Sequence, residues 1–123
     1  MSDAGTNDGH YVELLESRLR ELLNRVVVQI TVNEKWYLAT YPDVAAAVES
    51  GALKSARDHY IASGFFENRM PLPVEVDEPW YVKEYPDVAE AIKAGAFANG
   101  TQHFARNGFQ EGRLPSPGWS LLG

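Results

Sequence analysis

The chain contains no cysteine. Disulfide staples and thiolate metal sites are therefore excluded, and its stability has to come from packing. Basic residues are in the minority: eleven Lys and Arg stand against seventeen Asp and Glu, for a net charge of −6. That balance disfavours nonspecific nucleic-acid binding, which needs a Lys/Arg patch to meet a phosphate backbone. It disfavours an anionic membrane surface for the same reason. No apolar run approaches the ~20 residues of a membrane span, so no membrane insertion is expected. Positions 1–9 have neither a basic nor an apolar stretch and do not read as a secretory signal. A cytoplasmic location is the default expectation. Also missing are a Gly-rich phosphate loop, a nucleophile elbow, a catalytic triad and an EF-hand loop, which argues against an enzyme and against a bound cofactor.

What the chain does have is aromatic residues and internal symmetry. Three Trp, six Tyr and five Phe are present, each able to remove roughly 150–250 Å² from water. Residues 32–71 align with 76–115 at a constant offset of 44, without a gap and with 18 of 40 positions identical. Trp36-Tyr37 matches Trp80-Tyr81, and Tyr41-Pro42-Asp43-Val44-Ala45 matches Tyr85-Pro86-Asp87-Val88-Ala89. His59 matches His103, Gly64-Phe65 matches Gly108-Phe109, and Glu67, Arg69 and Pro71 match Glu111, Arg113 and Pro115.

Punctuation divides each copy into three short helices. Asn33 or Asp77 can cap a first helix carrying the Trp-Tyr pair. That helix should stop near Tyr41 or Tyr85, because the residue before proline disfavours the α region. Pro42 or Pro86 suits the first position of a second helix, and Asp43 or Asp87 complements its dipole. Gly51 or Gly95 ends that helix with a left-handed residue. A third helix runs from about Ser55 or Asn99, through His59 or His103, to Gly64 or Gly108. Asn68 stands where the second copy has Gly112, and these are the residue types most tolerant of positive φ. A left-handed turn is expected there. Val44, Val48, Leu53, Tyr60 and Phe65 are expected in the core, with Val88, Ile92, Phe97, Phe104 and Phe109. The two copies are expected to stack on a shared core.

Ahead of them, Asp8 can cap a helix over 9–31. Val12, Leu15, Leu19, Leu22 and Val26 recur at alternating spacings of three and four, a heptad seam about two heptads long. Glu16–Arg20 and Glu21–Arg25 support that helix at i,i+4. The β-branched run at 26–32 either continues it or forms a strand. Alone, so short a seam is marginal, so it must pack on another subunit or on the rest of the chain. The expected fold is all-α: a disordered tail at 1–8, an amphipathic, coiled-coil-like oligomerisation helix, two pseudo-equivalent units of three short helices, a linker at 72–75 and a C-terminal tail at 116–123.

The chemistry-bearing side chains each have a plain structural reading. His59 and His103 are expected to pack between helices and bond backbone carbonyls, since no ligand spacing accompanies them as metal ligands. Arg69 and Arg113 are expected to reach Asp43 and Asp87 rather than bind an external anion. Trp36 and Trp80 are expected in the core more firmly than Tyr37 and Tyr81, although exposed aromatics could stack on a sugar. In the tail, Trp119, Leu121 and Leu122 either dock on the chain's own surface or enter a partner's groove.

The pattern Trp-Tyr-x3-Tyr-Pro-Asp-Val-Ala-x-Ala…Gly-Ala…His-Tyr/Phe…Gly-Phe-x-Glu-Gly/Asn-Arg-x-Pro resembles a short tandem repeat of bacterial proteins. That repeat accompanies some glycosyltransferase-associated, polysaccharide-related and large secreted chains. The resemblance covers residues 32–115, with Asn68 in place of the usual glycine and no catalytic domain attached. It implies an adaptor or scaffold role, beside cell-surface polysaccharide synthesis. The expected function is thus a non-enzymatic, self-associating interaction module with a second bacterial protein as partner. The alternative is a carbohydrate-binding module.

Overall fold

A computed structural model describes residues 3–123, with side chains from residue 9 onward. The described residues form helices and turns, with no strand among them. Two compact units are distinguished, one ending at Ile30 and the other spanning Thr31–Gly123.

The first unit is a single helix, α1 (Asp3–Val27). It begins before the expected cap at Asp8, so positions 3–8, expected as tail, are helical; positions 1 and 2 lie outside the described residues. It also ends earlier than the expected 31: of the run at 26–32 only Val26 and Val27 continue the helix, and the rest is turn and coil rather than strand. After Val27 the chain tightens, with Gln29 and Ile30 N–H groups bonding the Val26 and Val27 carbonyls at 3.0 Å. The Gln29 side-chain amide caps the Arg25 carbonyl at 3.2 Å. Successive β-branched residues lower helix propensity here, and no neighbouring strand supplies the pairing a β conformation would need.

The second unit holds the two copies, whose elements recur at the offset of 44. In the first copy α2 (Glu34–Thr40), α3 (Pro42–Glu49) and α4 (Ala56–His59) are followed by one wide π turn, Tyr60–Gly64. In the second, α5 (Glu78–Glu84), α6 (Pro86–Lys93) and α7 (Gly100–His103) lead into the π turn Phe104–Gly108. The caps are those the composition suggests. Asn33, Asp77, Ser55 and Asn99 side chains each accept a first-turn N–H. Pro42 and Pro86 open the second helices, and Gly51 and Gly95 follow them at φ 84° and 85°. Asn68 and Gly112 share the left-handed turn, at φ 60° and 76°.

Each copy closes on itself. The Asn33 N–H donates to the Pro71 carbonyl at 2.9 Å, and Asp77 N–H to Pro115 at the same distance. This bond ties the first cap to the last residue of the copy. The cores are joined as well: Met70 belongs to the cluster of Val76, Tyr81, Val88 and Phe104, and Trp36 and Trp80 both pack against it. Tyr37 and Tyr81 are fully buried, whereas Trp36 and Trp80 are half-buried, the reverse of the expected ranking. The reason is geometric. Tyr37 and Tyr81 sit on the inner face of their short helices, opposite the π turns. The preceding Trp, about 100° around the helix, lies at the edge and meets Tyr41 or Tyr85 edge-on at 6.3 and 6.1 Å.

Candidate functional site

The residues duplicated between the copies converge on one network, built twice. At its buried end the Tyr37 hydroxyl lies 2.9 Å from His59 Nδ1, and Tyr81 lies 2.8 Å from His103 Nδ1. These histidines therefore bond tyrosine hydroxyls rather than the backbone carbonyls expected. Burial raises the Tyr37 pKa, and pushes that of Tyr81 up to about 12, so both hydroxyls stay protonated and can donate. The other ring nitrogen, Nε2, faces Glu67 at 3.9 Å or Glu111 at 4.0 Å. For His103, burial holds the pKa below its ordinary value, aided by the Arg113 charge. It is accordingly held neutral.

The glycine of each π turn makes this geometry possible. A Cβ on Gly64 would overlap the Tyr37 hydroxyl, and one on Gly108 the Tyr81 hydroxyl. The i→i+5 bonds from Phe65 to Tyr60 (3.0 Å) and from Phe109 to Phe104 (2.9 Å) widen the helix there.

At the outer end, Arg69 grips Asp43 with both terminal nitrogens, at 2.9 and 2.7 Å, and donates through Nε to Glu67 at 2.8 Å. Arg113 does the same with Asp87, at 2.8 and 2.6 Å, and with Glu111 at 3.0 Å. The planar fork suits the carboxylate bidentately. It holds the Asp43 pKa down to about 2 and lowers that of Asp87. Each guanidinium also covers a tyrosine ring, Tyr41 at 4.9 Å and Tyr85 at 4.8 Å. The hydroxyls of those rings accept the Met70 and Leu114 N–H groups at 2.8 and 2.9 Å. The closing turn of each copy is thereby fastened to its second helix. Both terminal nitrogens bind one carboxylate and Nε another, all within the same copy.

Tyr41 and Tyr85, expected only to end the first helices, and Glu34 and Glu78, for which no role was expected, also belong to this architecture. Glu78 accepts from Gly100 N–H (2.7 Å), Thr101 N–H (2.9 Å) and Thr101 hydroxyl (2.8 Å). Glu34 accepts from Arg57 N–H at 3.0 Å. The signal that could have found both is their identity at the offset of 44 combined with a position one residue after the cap.

The structure does not bring His59 and His103 together with acidic residues as a metal set: among the described residues no group of three or more His, Asp or Glu is placed to hold a metal ion. In the tail, Trp119 docks on the chain itself, edge-on to Phe104 at 6.1 Å. Leu121 is half-buried and Leu122 exposed. No described helix is long and apolar enough to cross a membrane.

The seam of α1 is unlike the rest of the molecule. Val12, Leu15, Leu19, Leu22 and Val26 are all exposed, from 41% at Val26 to 57% at Leu19 and Leu22. Leu14 is exposed beside them, and a shallow depression lined by Glu13, Glu16, Ser17, Leu19, Arg20 and Leu23 flanks the stripe. One element thus presents a contiguous apolar surface. Comparison with protein-family models, with curated proteins and with solved structures finds no match to the chain.

Proposed function

We propose that the protein is a non-enzymatic, self-associating scaffold module whose α1 is the assembly surface and whose paired helical copies are the displayed part. One observation carries the reading: five apolar side chains at heptad spacing lie exposed along α1, while the aromatic residues of the copies are largely turned inward. The inner chemistry supports a structural use of the duplicated groups within the chain. His59, His103, Arg69 and Arg113 are each engaged with tyrosine or carboxylate partners of the same copy.

The energetics fit a concentration-dependent assembly. Burying the exposed half of one such side chain gains about 1 kcal/mol, so ten of them in a pair gain about 10 kcal/mol. Association costs about 4–15 kcal/mol. Gain and cost are of the same order, which places the assembly in a range that protein concentration can tune. Light scattering on the full chain and on Leu19→Glu tests this: the wild type should exceed monomer mass and the variant should not.

The proposal extends, on the repeat resemblance alone, to an accessory role beside bacterial cell-surface polysaccharide synthesis, in the cytoplasm. Leu122, exposed at the end of the docked tail, is the proposed contact for a second protein. A carbohydrate-binding role draws on the half-exposed rings of Trp36 and Trp80. Absence of binding on a glycan array would remove it.

A further inference from the structure

Met70 and Leu114 hold the same place in their copies, 44 residues apart, and differ in what surrounds them. Both are fixed by the same bonds. The Met70 N–H donates to the Tyr41 hydroxyl at 2.8 Å, and the Leu114 N–H to the Tyr85 hydroxyl at 2.9 Å. Each follows an arginine that grips the second helix of its copy. Each precedes a proline whose carbonyl accepts the N–H of the first cap at 2.9 Å. The two side chains therefore start from equivalent backbone positions. Met70 enters the core of the following copy, among Val76, Tyr81, Val88 and Phe104, and is 5% exposed. Leu114 is 39% exposed. Residues 116–123 do not repeat the pattern of 72–79, matching it only at Pro117 and Pro73. Trp119 turns back onto Phe104 and leaves Leu114 uncovered. A single exposed leucine is ordinary. This one is the counterpart of a residue whose partner is visible one repeat earlier, and that partner is the core of a neighbouring unit.

We propose that the closing edge of the second copy, around Leu114, docks a further helical unit of this same pattern carried by another protein. The edge continues the joint between the two copies one unit further along the array. The partner's receiving residues are a β-branched residue, a Tyr, a Val and an aromatic, separated by 4, 6 and 15 residues as in Val76, Tyr81, Val88 and Phe104. A second copy of this chain fits less well. In its first helical unit the matching Tyr37, Val44 and Tyr60 are already buried, at 1% exposure or less. In its second unit the receiving core already holds Met70. The surface is distinct from α1, and the proposal does not depend on assembly there.

The test inserts residues 72–115 a second time after Pro115 in the full chain, with a specific protease site at the new junction. Leu19→Glu in every chain removes association through α1. Helix content by circular dichroism should rise with the insertion. After cleavage at about 50 µM, the released unit should stay with the chain in size-exclusion chromatography. Leu114→Asp should cut the retained fraction at least about tenfold, because it would bury a carboxylate without a partner. Leu114→Met, which restores the residue of the existing joint, should retain the unit. No gain in helix content, loss of the unit on cleavage, or retention indifferent to Leu114→Asp would each overturn the proposal. A Leu19→Glu chain without the insertion that dimerises through Leu114 would assign the edge to a second copy and overturn the partner named here. None of these outcomes bears on α1, whose test is the mass of the chain with Leu19 intact.

Discussion

Replacing Gly108 with alanine probes the point where the sequence, the π turn and the buried network meet. The added Cβ has no free space, because it would overlap the Tyr81 hydroxyl, which is held by His103 Nδ1 at 2.8 Å. Either the turn shifts, an overpacking cost of about 1–3 kcal/mol, or Tyr81 moves and leaves buried polar groups unpaired, at about 1–3 kcal/mol. Greater helix propensity returns about 1 kcal/mol. The net loss should be about 1 kcal/mol, or a fall in Tm of roughly 5 °C for a unit of this size. Thermal unfolding followed by circular dichroism measures it. Gly9→Ala is the control: a Cβ there meets nothing within 4 Å, so that variant should be unchanged or slightly more stable. Adding Tyr81→Phe to Gly108→Ala removes the overlapping oxygen. The double variant should therefore be more stable than the two single losses sum to, by about 1 kcal/mol or more. A Gly108→Ala chain melting at or above the wild type would refute the reasoning.

Tyr60 is fully buried, and its hydroxyl has no hydrogen-bond partner among the described residues, where the second copy carries Phe104. Tyr60→Phe should therefore raise stability, by about 1 kcal/mol, in the same thermal assay. The pKa of His103 is lowered in the fold, so its contribution is complete above the ordinary value of 6.5 and is lost as pH falls below it. Melting curves between pH 7.5 and about 5 should show Tm falling with acidification, and His103→Phe should flatten that dependence. The Asp43 and Asp87 carboxyls are also depressed, so a further loss should appear as pH drops from about 4 toward 2.

Much of the second unit was legible because local chemistry and fold agree there. Proline after Tyr41, glycine at 51 and the Asn68/Gly112 exchange each fix one backbone conformation, and the same signals recur 44 residues later. The pairing of Arg69 with Asp43 was legible for a similar reason: both recur in each copy, and a guanidinium and a carboxylate have few better partners. Burial was harder to read. Periodicity cannot decide between adjacent Trp36 and Tyr37 on a seven-residue helix, and the choice falls to the π turns, which leave room for a phenol and its histidine. The histidine partner was misjudged on the same ground, since a tyrosine 22 positions away competes with every nearby carbonyl. The end of α1 was misplaced because heptad phase continues past Val27, while the β-branched run weakens the helix at that point.

Self-association through α1 is tested most directly by sedimentation or light scattering of the full chain at about 100 µM. The expected result is twice the chain mass of 13.7 kDa, returning to 13.7 kDa in Leu19→Glu with helix content retained. A wild-type mass of 13.7 kDa at that concentration would contradict it.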